Sequence, residues 1–278
     1  MQTYVDKSKN IEIKAADILI GNKVSFGSNI RVAVKGVFQI GDFSRLGGDT
    51  EILGGDIRIG THLFHSSGLR IGGGGRQNPN ACLTIGDRCT IHNNFINVCE
   101  PVVIGNDVGL SPDTSILTHG YWLSVLEGFP ARFAGVRIGN GIIVGYRSLI
   151  MMGTEIVDEC VVGAQSVVSK SLKEKGIYAG APARFIKKIT PLSIEERVRK
   201  VEEILRDYAP IAEYHDIALN GKMRLDYPWL HFKDLVINLE TFEYQGSEDE
   251  ETDDLRDYLR KWGIRVYTER GFTSKFKL

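Results

Sequence analysis

Aliphatic residues recur at every sixth position over a long part of the chain. From Ile138 the series runs Ile138, Val144, Ile150, Ile156, Val162 and Val168. Four residues after these come small or β-branched side chains: Ile142, Ser148, Thr154, Cys160 and Ser166. Neither the 3.6-residue period of a helix nor the alternation of an ordinary strand sustains a period of six. A parallel β-helix does. Six residues form one short strand and one corner, and three such faces close a coil of about 18 residues, in which each aliphatic side chain points inward onto its counterpart one coil away. A single coil buries little, so several must stack before the structure is stable.

The same phase continues toward the N-terminus with slips. Ile104, Leu110 and Ile116 form one block, Ile85 and Ile91 another, and Ile59 and Ile71 bracket His65. Ile40, Leu46 and Ile52 precede these, and Ile20, Phe26 and Val32 begin the series. Larger breaks predict loops near 72–84, which contains a run of four glycines, and near 118–137. Glycine often follows the inward residue, as at Gly139, Gly145 and Gly163, and is expected to supply corner conformations that a Cβ would penalise.

The pattern stops near Thr190. Of 31 glycines, 27 precede it, and the formal charge changes from +4 over residues 1–189 to −5 over 190–278. Two regions built by different rules are therefore expected: a β-helix over 1–189 and a small α/β region over 190–278. In the latter, Ile194, Val198, Val201, Leu205 and Tyr208 recur at helical spacing behind a Ser193 cap with Glu196 three residues on, predicting a helix over 193–209. Strands are expected at Leu235–Asn238, Thr241–Tyr244 and Ile264–Tyr267, with a helix at Glu250–Trp262. Seven acidic residues between Ser247 and Asp257 read as a solvated loop and helix start.

Composition removes several classes of function. The net charge of −1 argues against a general nucleic-acid binder. No long uncharged apolar run exists, so no membrane span is expected, and MQTYVDKSKN lacks the apolar core of a secretory signal, which predicts a cytoplasmic protein. Cys82, Cys89, Cys99 and Cys160 have neither zinc-ribbon nor CxxC spacing and read as buried thiols.

The repeat, aliphatic-Gly-x-x-small-x, resembles that of the hexapeptide-repeat acyltransferases. Two motifs strengthen the resemblance. Ile116-Leu117-Thr118-His119-Gly120 resembles the family's catalytic-histidine segment, followed by an extruded loop. Val162-Gly163-Ala164-Gln165-Ser166-Val167-Val168-Ser169-Lys170, leading to Ala179-Gly180-Ala181-Pro182-Ala183-Arg184, is similar to the terminal coil and exit motif of the acetyltransferase branch. The resemblance is strongest over 85–189 and absent after 190. It implies a left-handed parallel β-helix, assembly as a homotrimer with active sites between subunits, and transfer of an acetyl group from acetyl-CoA. The acceptor implied is a hydroxyl of a sugar or sugar-containing intermediate of surface-polysaccharide synthesis, with N-acetylation of an amino sugar as the alternative. A non-catalytic β-helix scaffold is the remaining reading.

Acetyl transfer needs a base with a pKa near neutrality to take the acceptor proton, which makes His119 the candidate. Glu100, about one coil earlier, is the first candidate to orient its ring; Asp113, Glu127 and a backbone carbonyl are the others. The resemblance places the oxyanion donor near Gly145 or Tyr146. Small residues that would admit a pantetheine arm between coils are Gly145 and Ala164, and Lys170 and Arg184 match the positions that meet the nucleotide phosphates. For the acceptor, Tyr121, Trp122 and Phe129 could stack on a sugar or anchor the loop to the next subunit, and Arg132 or Arg137 could hold a phosphate or carboxylate. Asn94 resembles an acceptor-side asparagine. No metal is required: His65, His92 and His119 recur every 27 residues, but they occupy different phases of the repeat and cannot converge as a zinc site. The glycine run Gly72–Gly75 with Arg76 lacks the Gly-Lys-Ser/Thr ending of a phosphate loop and reads as a flexible insertion.

Overall fold

The computed structural model describes residues 1–74 and 78–276, and the chain divides into two compact units, Met1–Ile189 and Thr190–Leu278. Gly75 and Arg76 of the glycine run lie outside the described residues. In the first unit, three parallel sheets form the faces of a β-helix of about eight coils. Their inward residues stack in register. One face aligns Ile13, Val32, Ile52, Ile71, Ile96, Ile116, Ile150 and Val168. A second aligns Ile20, Ile40, Ile59, Ile85, Ile104, Ile138 and Ile156. The third pairs Phe26 with Leu46, His65 with Ile91, and Leu110 with Val144, Val162 and Tyr178 in turn. The smaller set also faces in, with Ile142, Ser148, Thr154, Cys160 and Ser166 all buried.

At each end an antiparallel strand extends one of the three faces. Gln2–Asp6 pairs with Ile11–Ala15, and Arg184–Lys187 turns back on Ile177–Ala179. Such strands cover ladder edges that would otherwise present unpaired N–H and C=O groups.

The glycines after the inward residues serve a different end from the one expected. At Gly105 and Gly145 the backbone is not left-handed. A Cβ there would instead come within 2.7 Å of Gly139 O and 2.5 Å of Ala164 N, so glycine lets consecutive coils approach. The left-handed residues stand two positions further on and carry side chains: Asp107 (φ 57°), Arg147 (φ 55°) and Gln165 (φ 56°).

The second unit packs helices α1 (Ile194–Tyr214) and α2 (Glu250–Arg260) with a four-stranded antiparallel sheet, Met223–Asp226, Trp229–Phe232, Leu235–Asn238 and Tyr244–Gln245. Ser193 and Glu196 form the expected capping box, and α1 buries Val201, Ile204, Leu205, Tyr208 and Ala212 along one stripe. Two strands were not foreseen, and Ile264–Tyr267 is not a strand. No helix among the described residues is long and apolar enough to cross a membrane.

Candidate active site

His119 follows the strand Ser115–Ile116, where the chain leaves the coil as a hairpin. His119–Gly120 pairs antiparallel with Arg132–Phe133, so His119 lies opposite Phe133 and Gly120 opposite Arg132. The hairpin tip is a 3₁₀ turn at Val125–Glu127, capped by Ser124 and ended by Gly128 at φ 88°. Its return leg is tied to the body by Ala134 N–H donating to Thr118 O and by Gly153 N–H donating to Gly135 O.

The register builds an aromatic cluster around the half-buried imidazole. The rings of His119 and Phe133 stack with centroids 5.7 Å apart and planes 10° from parallel. Tyr121 lies 5.6 Å from His119 and 5.3 Å from Phe133. Trp122 and Leu126 project almost fully exposed, at 90% and 94%.

Asn97 orients the ring. Its Oδ1 is 2.9 Å from His119 Nδ1, and the asparagine is buried, on the strand Phe95–Asn97 one coil before the histidine. Glu100 does not take this place. Its carboxylate receives Asn78 Nδ2 at 3.3 Å, and its backbone N–H donates to Thr118 Oγ1. Asp113 is engaged with Asn93 and Arg147, and Glu127 stands exposed at the hairpin tip. Asn94 is likewise not an acceptor ligand. It is buried, its Nδ2 donates to Ser111 O and Thr114 O, and its Oδ1 accepts His92 N–H, so its amide is spent inside the corner.

Gly145 is excluded as an oxyanion donor because its N–H donates to Val162 O at 2.8 Å in the inter-coil ladder. The next residue, Tyr146, has a backbone N–H with no partner among the described residues. Its ring lies under the Arg147 guanidinium, 5.0 Å from centroid, and its hydroxyl hydrogen-bonds Asp113, the largest of the contacts that lower the Asp113 pKa.

The remaining candidates fall on two corner columns. Leu117 N–H donates to Ile150 O and Met151 N–H to Val168 O, which places Lys170 two coils along the corner that carries His119. The Arg132 guanidinium lies against Gly153 on the same column. Gly145, Tyr146 and Ala164 share a different corner, linked by Gly145 N–H to Val162 O and Gln165 N–H to Tyr146 O. Arg184 opens the reversed strand that caps the sheet of that second corner. Lys170 and Arg184 are exposed and have no carboxylate partner among the described residues. Within one copy the two columns are separated by a face of the β-helix.

His65 and His92 serve the corners. Gly47 N–H donates to His65 Nδ1 at 3.0 Å, and His92 Nδ1 meets Ser66 Oγ at 2.9 Å. Among the described residues no group of three or more His, Cys, Asp or Glu is placed to hold a metal ion.

No protein-family model matches the chain. The putative acetyltransferase YvoF of Bacillus subtilis is 29% identical over 104 residues, which are 37% of this chain and 56% of that protein. The putative lipopolysaccharide biosynthesis O-acetyl transferase WbbJ of Escherichia coli is 28% identical over 152 residues, 48% of this chain and 72% of that protein. Among solved structures, the hexapeptide-repeat containing acetyltransferase VCA0836 of Vibrio cholerae aligns with a TM-score of 0.42 and 21% identity, over 48% of this chain and 74% of that chain. The chain thus spans little more than half of YvoF. The chain is similar over its β-helix to proteins named as acetyltransferases.

Proposed function

We propose that the protein transfers an acetyl group from acetyl-CoA directly to a hydroxyl of a sugar or sugar-containing intermediate. The observation that carries this reading is the His119–Asn97 contact. With Nδ1 committed to Asn97 Oδ1, Nε2 has no hydrogen-bond partner among the described residues and acts as the general base. It takes the acceptor proton as the oxygen attacks the thioester carbonyl carbon. The C–S bond then breaks, and the imidazolium returns the proton to the departing thiolate. The Tyr146 N–H serves the transient oxyanion.

Because His119 and Tyr146 stand on different corners of one copy, a complete site needs two copies. A homotrimer that sets one column against its neighbour's supplies it. CoA then runs beside Gly145 and Ala164, with Lys170 and Arg184 on its phosphates, and the exposed Tyr121 and Trp122 and the Arg132 guanidinium meet the acceptor. WbbJ, named for O-acetyl transfer in lipopolysaccharide biosynthesis, supports a surface-polysaccharide acceptor.

The test is release of CoA thiol from acetyl-CoA over a panel of paired hydroxyl and amine acceptors, including nucleotide sugars, with products read by mass spectrometry. His119→Ala is expected to lower kcat by about 10²–10⁴-fold. Acetylated amines without acetylated hydroxyls would replace O-transfer with N-transfer. Inertness toward acetyl-CoA with every acceptor would overturn the reading.

A further inference from the structure

The glycine run has no part in the proposed transfer, yet its described portion touches the residue that orients His119. Gly72 ends the strand Arg70–Gly72 and lies opposite Asn97 in the ladder. Asn97 Nδ2 donates to Gly72 O at 3.1 Å and to Gly73 O at 2.9 Å. On its other side, Asn97 Oδ1 accepts from Thr118 Oγ1, from Cys99 N–H at 3.3 Å and from Thr118 N–H at 3.4 Å, besides facing His119 Nδ1. Turning the amide over would set its oxygen against two carbonyl oxygens and its NH₂ against two backbone N–H groups. In a buried site each such mismatch leaves polar groups unpaired, so only one orientation is stable.

We propose that Gly72 and Gly73 form a backbone clamp that locks the Asn97 amide and thereby sets the tautomer of His119, with the proton on Nδ1 and the lone pair on Nε2. An amide oxygen cannot donate, so the neutral ring must donate to it from Nδ1. Glycine is required at the clamp. Gly73 sits at φ 87°, and a Cβ there would come within 2.6 Å of Asn97 Nδ2 and 2.9 Å of Phe95 Cζ. A side chain would therefore displace the amide or pull the carbonyl away. Asparagine is required as well, since an aspartate would aim a carboxylate at two carbonyl oxygens. Gly72, Gly73 and Asn97 are positioning residues, and their effect on catalysis rests on His119 being the base.

The experiment is ¹⁵N NMR of the full chain labelled at histidine, with His119 assigned by its loss in His119→Ala. The neutral His119 ring of the wild type is expected to show a protonated Nδ1 and a bare Nε2, read whether or not any acceptor is known. Gly73→Ala and Asn97→Ser attack the clamp from opposite sides, and each is expected to populate the Nε2–H form. In both, kcat should fall by at least about tenfold while KM for acetyl-CoA stays within about twofold, as when only the reacting geometry is disturbed. An Nε2–H ring in the wild type, or a pure Nδ1–H ring in both folded variants, would overturn the clamp. A wild type inert toward acetyl-CoA with the Nδ1–H ring would overturn the transfer reading and support the clamp.

Discussion

The two units bury polar groups in opposite ways. In the β-helix a core residue meets its own counterparts in the coils above and below. The buried polar side chains there are neutral, and apart from Asn97 at the site several serve corners, as Ser148 does on Gly163 O and Asn94 on Ser111 O. In the second unit the buried side chains include Asp253, Asp254 and Arg256. The Arg256 guanidinium, fully buried, binds Glu248 and Asp253 at 2.8 Å each, with Val266 O and Arg270 O as further acceptors. Asp254 accepts Tyr208 Oη, His215 Nδ1, Ser274 Oγ and the Lys275 N–H. A stack of like residues spreads its stability over many similar steps. A buried ionic centre gathers it at one place, because charges removed from water must find partners from several elements at once.

The largest expected effect follows from that concentration. Arg256→Met removes one charge and leaves Glu248 and Asp253 facing an apolar side chain, at a cost of about 3–5 kcal/mol. Hydrogen exchange should show lost protection over Thr190–Phe276, while the amides of the stacked coils keep theirs. Equal loss across both units would erase the distinction between them.

Acid should separate the units by pH. His65 occupies an inward aliphatic slot, and burial is the chief reason its pKa falls from 6.5 to about 4. Between those values the unfolded chain binds a proton that the folded chain refuses, so stability is complete above 6.5 and declines as the pH falls toward 4. The loss is about 3 kcal/mol. For Asp254 burial raises the pKa, but hydrogen bonds from the Lys275 N–H, His215, Ser274 and Tyr208 outweigh it and the net shift is downward. Its contribution is present above the normal carboxylate range and is lost only at more acidic pH. Unfolding followed separately in each unit should place the β-helix transition at the higher pH. In His65→Leu the slope between pH 6.5 and 4 should flatten, even though Gly47 N–H loses its acceptor and neutral-pH stability drops. An unchanged slope would remove His65 from the account.

The inward stack was legible because each position repeats the same demand for an aliphatic side chain. It blurred where the spacing shortened. Ile96 comes five residues after Ile91, and that slip takes Asn97 out of the six-residue phase, while Asn94 stands out only by its resemblance to an acceptor-side asparagine. The signal available was register: Asn97 directly follows an inward isoleucine, as Gly72 does one coil earlier. Composition does not distinguish a corner glycine that answers a left-handed φ from one that answers a close approach, since both favour glycine. In the second unit, Met223–Asp226 and Trp229–Phe232 are half-buried strands without a glycine turn between them. Val266 lies in no strand, and its carbonyl accepts from Arg256 Nε, ten residues earlier, rather than from a ladder neighbour. Contacts of that kind leave no periodic trace.

The smallest effect tests the one strong local signal of the second unit. Ser193 Oγ accepts Glu196 N–H at 3.2 Å, and Glu196 Oε2 accepts Ser193 N–H at 2.8 Å. Ser193→Ala removes the first of these and leaves one orphan N–H in the first turn of α1, which solvent can reach. The expected cost is about 1 kcal/mol, read as a shift in the denaturant midpoint of the second unit at unchanged slope. It should add to the Arg256→Met loss, since the two sites share no partner. The capping box thus marks where α1 begins, while the larger stability resides in a centre assembled from residues 248–270. A Ser193→Ala cost as large as that of Arg256→Met would reverse this order and make the second unit, like the first, a structure held by its local pattern.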